Sequence, residues 1–141
     1  MAVRFWVFLA SFPIFASEFI VPGVQNRVSS AGVHWATELR VVNPGADVVQ
    51  VKARFLSEDG QASPEPASLE LAPGQVKVLR NALLELWNWE ESAGAIELDS
   101  DGTVLISARN YTDQQEKVFT VTVPVVARQE LLAETNTVLD E

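Results

Sequence analysis

The chain has 141 residues, of which 48% are hydrophobic and 21% charged, a formal net charge of −9, no cysteine and one histidine, His34. That is a single globular domain, long enough to bury a core without a disulfide or metal staple. Disulfides, thiolate metal sites, cysteine nucleophiles and multi-histidine metal sites are excluded, and an acidic body makes nucleic acid and anionic lipid surfaces poor partners.

Met1–Arg4 supplies a short positive start, and Phe5–Ala16 is apolar apart from Ser11, with Pro13 inside it. Such a run is too short to cross a bilayer, which takes ~20 apolar residues, but it suits the apolar region of a signal peptide. Cutting after Ala16 places Ile14 three residues back, whereas cutting after Ser17 would place bulky Phe15 there. The expectation is a signal peptide over residues 1–16, a mature start at Ser17 and an exported protein. Removal of Arg4 leaves that protein one charge more acidic. The competing reading is an uncleaved anchor or a hydrophobic strand. No cysteine stands at the cut, so the lipoprotein route is excluded, and no later segment is long and apolar enough to span a membrane.

From there the pattern has a period of two, punctuated by proline and glycine. Glu18–Pro22 reads as a starter strand that stops at Pro22-Gly23, and His34–Asn43 as a strand that ends in the turn Asn43-Pro44-Gly45. Over Asp47–Leu56, Val49, Val51, Ala53 and Phe55 face one way while Gln50, Lys52 and Arg54 face the other, the mark of an antiparallel sheet with one wet face. Ser57–Pro66 is a polar loop. Ser68–Leu71 is a short strand, Ala72-Pro73-Gly74 turns, and Gln75–Leu79 returns. Asn81 caps the only helical stretch, Asn81–Trp87, in which Leu83, Leu84 and Trp87 fall at helical spacing. Gly94–Asp99, Thr103–Tyr111 and Lys117–Val126 complete the strands, with Asp101-Gly102 as a hairpin turn signal. Beyond residue 127 the chain is acidic and polar and is expected to be a loosely ordered tail over 128–141.

About seven to eight short strands with turns every ~8–12 residues predict an all-β, antiparallel, immunoglobulin-like β-sandwich over residues 17–127, with one short helix near 81–88. A family resemblance points the same way. His34–Gly45 (HWATELRVVNPG) resembles a W-x-T-x-L-R-V-x-N-P pattern of immunoglobulin-like modules in secreted and surface-attached bacterial proteins. Leu71–Gln75 (LAPGQ), the short helix after it, Gly94–Leu98, Ser107–Tyr111 (SARNY) and Thr122–Pro124 follow in the order and spacing of such modules. The resemblance covers about residues 19–127. It implies fold and export; such modules share no activity that could be carried over. They are often parts of long multidomain chains, and the tail after Ala127 matches nothing in them.

The sequence offers few chemical groups in a working arrangement. Next to His34 there is no serine, second histidine or carboxylate pair placed to act with it, and no phosphate loop, G-x-S-x-G or H-E-x-x-H occurs. No catalytic residue, no cofactor and no metal is therefore expected. Glu97, Asp99 and Asp101 fit no calcium loop and read as a solvated turn. Glu90-Glu91 is a carboxylate pair on an irregular segment, where two groups rarely converge on one substrate. Arg109 and Tyr111 share a strand face with Asn110 on the other, and Arg109 is expected to pair with Glu38 or Glu97 rather than clamp a ligand. Asn110-Tyr111-Thr112 also fits the N-glycosylation pattern, which carries little weight in a bacterial protein. Trp87, Trp89 and Trp35 are the residues that could contact a ligand, as an aromatic platform for a sugar ring; the alternative for Trp87 is to close one end of the core. The functional expectation is a secreted or surface-exposed, non-catalytic adhesion or assembly module with an unknown protein or cell-surface glycan partner. Its strand edges suit pairing with a second copy or another chain. The alternative is a small carbohydrate-binding module using exposed tryptophans.

Overall fold

The computed structural model describes residues 17–61, 63–114 and 117–128. The expected signal peptide, and the expected tail beyond Arg128, lie outside them. Over the described residues the chain is all-β and antiparallel with one short helix, as the period-two pattern predicts. Its strands are β1 (Ser17–Val28), β2 (His34–Val42), β3 (Val49–Ser57), β4 (Ala67–Leu71), β5 (Val76–Leu79), β6 (Ser92–Ser100), β7 (Leu105–Gln114), β8 (Lys117–Val123) and β9 (Val126–Ala127), and α1 is Ala82–Trp87.

Hydrogen bonding is continuous in the order β4-β3-β6-β1-β2-β7-β8, with β5 added to β2 and β9 to β1. The joint is β1. Its residues 17–26 pair with β6, while residues 26–28 pair with β2. Buried side chains from β1 through β8 and from α1 belong to one cluster, including Val21, Leu39, Phe55, Leu71, Leu83, Ile96, Leu98 and Val123. A sheet whose two ends feed one core must curl until its halves face each other, β4-β3-β6-β1 on one side and β5-β2-β7-β8 on the other.

Local sequence explains the elements. In β3, Val49, Val51, Ala53 and Phe55 are buried and Gln50, Lys52, Arg54 and Leu56 exposed, as expected of a strand with one wet face. The helix starts where Asn81 accepts a hydrogen bond from the Leu84 amide and ends where Asn88 takes a left-handed conformation, φ 53°. Leu83 faces the core, whereas Leu84 is exposed.

Four expectations need correction. Pro22-Gly23 does not end the first strand: Pro22 pairs with Ala95 and Val24 with Gly94, so Gly23 is the extra residue of a β-bulge, at φ +79°. Asn110 holds that bulge by donating from Nδ2 to the Gly23 carbonyl at 2.9 Å, and its Oδ1 accepts from Thr37, whose hydroxyl oxygen accepts the Gln25 amide at 2.7 Å. Secondly, Asp101-Gly102 is no hairpin turn, because β6 pairs with β1 and β3 whereas β7 pairs with β2 and β8. The turn instead crosses from one half to the other, tied down by Asp101 N–H to the Gln50 carbonyl (3.1 Å) and Gln50 N–H to Asp101 Oδ1 (2.8 Å). Ala72-Pro73-Gly74 likewise joins β4, which pairs with β3, to β5, which pairs with β2, so the chain changes halves there and does not return beside itself. Finally, Lys117–Val126 is two strands: Pro124 and Val125 lie between β8 on one half and β9, which pairs with Phe19 and Ile20 of β1.

Candidate functional site

Among the described residues, β2 carries the one buried carboxylate. Glu38 is 3% exposed and faces outward from β5-β2-β7-β8 in register with Arg109. Its Oε1 accepts from Arg40 Nε at 2.9 Å and Arg109 Nε at 3.1 Å, and its Oε2 accepts from Arg109 Nη2 at 3.0 Å. The Tyr111 ring lies on the same face, with the Arg109 guanidinium 5.9 Å from its centroid, and its hydroxyl donates to the Arg80 carbonyl at 2.8 Å. Burial opposes the charge on Glu38, but the hydrogen bonds from Arg109 and then Arg40 outweigh it and hold the carboxyl below its ordinary value of 4.5. Burial first, and the Glu38 charge second, push the Tyr111 phenol upward. Beside this cluster is an open groove of about 300 Å³ lined by Glu38, Arg40, Ser107, Ala108, Arg109 and Thr122. A carboxylate engaged at both oxygens and held ionised is poorly placed to move protons. Its chemistry is that of a cross-strand clamp, with Glu38 as Arg109's partner in place of Glu97.

The tryptophans do not form a free platform. The rings of Trp87 and Trp89 lie 5.7 and 5.0 Å from that of Phe55, Trp89 edge-on. Trp87 Nε1 donates to the Glu65 carbonyl at 2.9 Å, and the Trp89 carbonyl accepts from Asn26 Nδ2 at 3.0 Å. Both rings are half-buried against the core, which matches the core-closing alternative for Trp87. Trp35 is half-buried and stands in register with Arg27, whereas Trp87 and Trp89 share Phe55 as their ring neighbour. His34, exposed, pairs its Nε2 with Asn26 Oδ1 at 2.6 Å. Glu91 accepts the Val28 amide at 3.4 Å. Among the described residues no group of three or more metal-ligating side chains converges, and no helix is long and apolar enough to cross a membrane.

What stands out is an edge. β8 pairs with β7 from Gln114↔Lys117 to Ala108↔Val123, and among the described residues no strand lies on its other side. Val118, Phe119 and Val121 are 61%, 52% and 56% exposed, so both faces of the strand are wet and apolar. Val118–Val123 carries no charge, proline or glycine. The other edges differ. β4 has Glu70, whose carboxylate accepts from Gln50, and β5 has Lys77. Charged residues on edges are how natural sheets avoid pairing with other chains. β8 has one such charge, Lys117 at its first position, and none over Val118–Val123. The alternating Phe119-Thr120-Val121-Thr122-Val123 was legible as a strand, but its edge position depends on β7 being its one partner.

These features define an antiparallel all-β protein with a clamped sheet face and, among the described residues, an edge strand free of charge over Val118–Val123. No family model matches the chain, and no curated protein matches it. Among solved structures it is similar to Thermotoga maritima 1070, with 17% identity, 77% of this chain and 93% of that chain covered, and a TM-score of 0.59. It is also similar to the Anabaena sensory rhodopsin transducer, with 14% identity, 70% and 91% of the two chains covered, and a TM-score of 0.54. At such identities the likeness is one of fold.

Proposed function

We propose that this chain is an exported, non-catalytic interaction module of immunoglobulin-like type that engages its partner by strand addition at β8. The observation that carries the reading is the β8 edge: Val118, Phe119 and Val121 are exposed, and Val118–Val123 is free of charge and made of β-branched and aromatic residues. An extended segment laid along such an edge completes its backbone hydrogen bonds, and alternate side chains supply selectivity. Export is supported by the basic start and the apolar run of residues 1–16. Pairing of Ser17 with Ser100 means that cleavage before Ser17 leaves the described sheet whole. The clamped Glu38 supports a scaffold role for the most polar cluster.

Two measurements test this. After expression of the full chain in an exporting bacterium, the N-terminal residue of the exported protein should be Ser17; protein starting at Met1 in the membrane fraction would refute cleavage. A synthetic peptide with the sequence Lys117–Val123 should bind the purified chain saturably, and Val121→Lys in the chain should abolish binding. Equal binding by that variant would remove β8 from the reading. Titration of tryptophan emission with soluble polysaccharides addresses the carbohydrate alternative. A saturable shift lost in Trp89→Ala would replace the strand-addition reading, and emission already blue and unresponsive would support it.

A further inference from the structure

Resting on the strand-addition reading, we propose that the partner of β8 is β8 of a second copy, the two strands running antiparallel about a two-fold axis at Thr120. The strand is complementary to itself in that register. Residue i of one copy meets residue 240 − i of the other, so the parity of faces is preserved: Phe119 meets Val121, Val121 meets Phe119, and Val118 meets Thr122. Aromatic–β-branched and β-branched pairs are the favourable cross-strand combinations. Thr120 meets its own copy at the axis, where a charged residue would have repelled itself.

Charge restricts where a second copy can dock. The chain has 19 acidic and 10 basic residues, so two copies repel each other over most of their surfaces. Self-association therefore needs a contact strip without acids, and Val118–Val123 is such a strip, whereas β4 would bring Glu70 to the joint. The product would be a single sheet β5-β2-β7-β8 continued by β8-β7-β2-β5 of the second copy. Because the contact is isologous it closes at two copies and hides both unprotected edges, so the same strand that invites aggregation would end it.

The predicted behaviour is a reversible monomer–dimer equilibrium whose dimer fraction rises with salt, since screening weakens the repulsion between acidic bodies. Sedimentation velocity over a range of concentrations should show twice the protomer mass for the purified chain and a single protomer for Val121→Lys. Cross-linking reads the register. The chain has no cysteine, so under mild oxidation Thr120→Cys should form a dimer disulfide at least about tenfold faster than Val118→Cys, whose partner in the other copy is Thr122. A single protomer mass up to about 1 mM, with equal cross-linking rates, would overturn the dimer. If the Lys117–Val123 peptide still bound such a monomer, strand addition would stand with another partner. If it did not, both readings would fall. A dimer that persists in Val121→Lys would place the contact elsewhere.

Discussion

Replacing Glu38 by Gln keeps the shape of the side chain and removes its charge, which isolates what the clamp contributes. The Glu38 side chain is 4% exposed, against 52% for Arg40 and 44% for Arg109. Hydrogen bonds to a charged group typically contribute about 1.5–3 kcal/mol. Loss of the carboxylate leaves two guanidiniums that are already half in water and can be rehydrated, so the larger penalty of an orphaned buried charge does not apply. The expected cost is about 2 kcal/mol, or a fall in Tm of about 6–10 °C for a domain of this size. Urea unfolding followed by circular dichroism at pH 7 measures it. The pH dependence gives a second test. Glu38 has a folded pKa below its ordinary value of 4.5, so its contribution is complete above the unfolded value and is lost as pH falls through the folded one. The stability gap between the wild type and Glu38→Gln should therefore be constant near neutrality and shrink on acidification below about pH 4.5. A gap under about 0.5 kcal/mol at pH 7 that does not change down to pH 3 would refute the clamp.

Other positions give independent checks. Gly94→Ala should destabilise by about 3 kcal/mol or more, at the top of the overpacking range, because a Cβ there would come within 2.0 Å of the Leu56 carbonyl oxygen in the backbone; thermal melting within about 1 °C of wild type would contradict this packing. Asn43→Ala should cost about 3 kcal/mol: Asn43 is fully buried, its Nδ2 donates to the carbonyls of Asp47, Leu71 and Ala72, and its Oδ1 accepts the Gly45 amide. Chemical denaturation reads that loss, and a cost below about 1 kcal/mol would mean that these carbonyls find other donors. Asp99→Asn should stabilise at neutral pH by up to about 0.5 kcal/mol, the scale of a surface substitution. Burial, then the Glu18 charge, raises the Asp99 pKa, so its carboxylate opposes folding at neutrality and is relieved as pH falls through the raised value; a destabilised variant at pH 7 would reverse that sign.

The sequence was legible where one residue's environment repeats every second position. β3 shows this: its four inward apolar residues and three outward polar ones follow from alternation alone, and the helix start follows from the Asn81 cap. β2 was harder, because residues 36–39 are buried on both faces, including Glu38 on the face that a polar residue marks as wet. Arg40 and Arg109 make that burial tolerable, and Arg109 is distant in sequence. Turn chemistry has the same boundary. Asp101-Gly102 and Ala72-Pro73-Gly74 are turns as read, but a turn does not determine whether its flanking strands pair with each other or with opposite halves of a curled sheet. Asn43 shows the consequence. As part of Asn-Pro-Gly it read as a turn that needed no further account, yet it is one of the most buried residues in the domain, because the chain leaves β2 there for the other half and its amide secures the carbonyls at the crossing.

The edge follows from the same crossings. A chain that changes halves after β1, β2, β4, β5 and β6 brings strands distant in sequence together in each half, and the order β5-β2-β7-β8 ends on the strand that arrives last. That strand is β8, which pairs with β7 from Gln114↔Lys117 onward. With Val123 buried beside Ala108, the far end of β8 is fixed in the core, whereas Val118–Val121 continue the same pattern out into solvent. A strand under only the demands of its own core would have polar residues beyond the point where burial stops. Phe119 and Val121 stand there instead, which is the pattern that the proposed strand addition at this edge calls for.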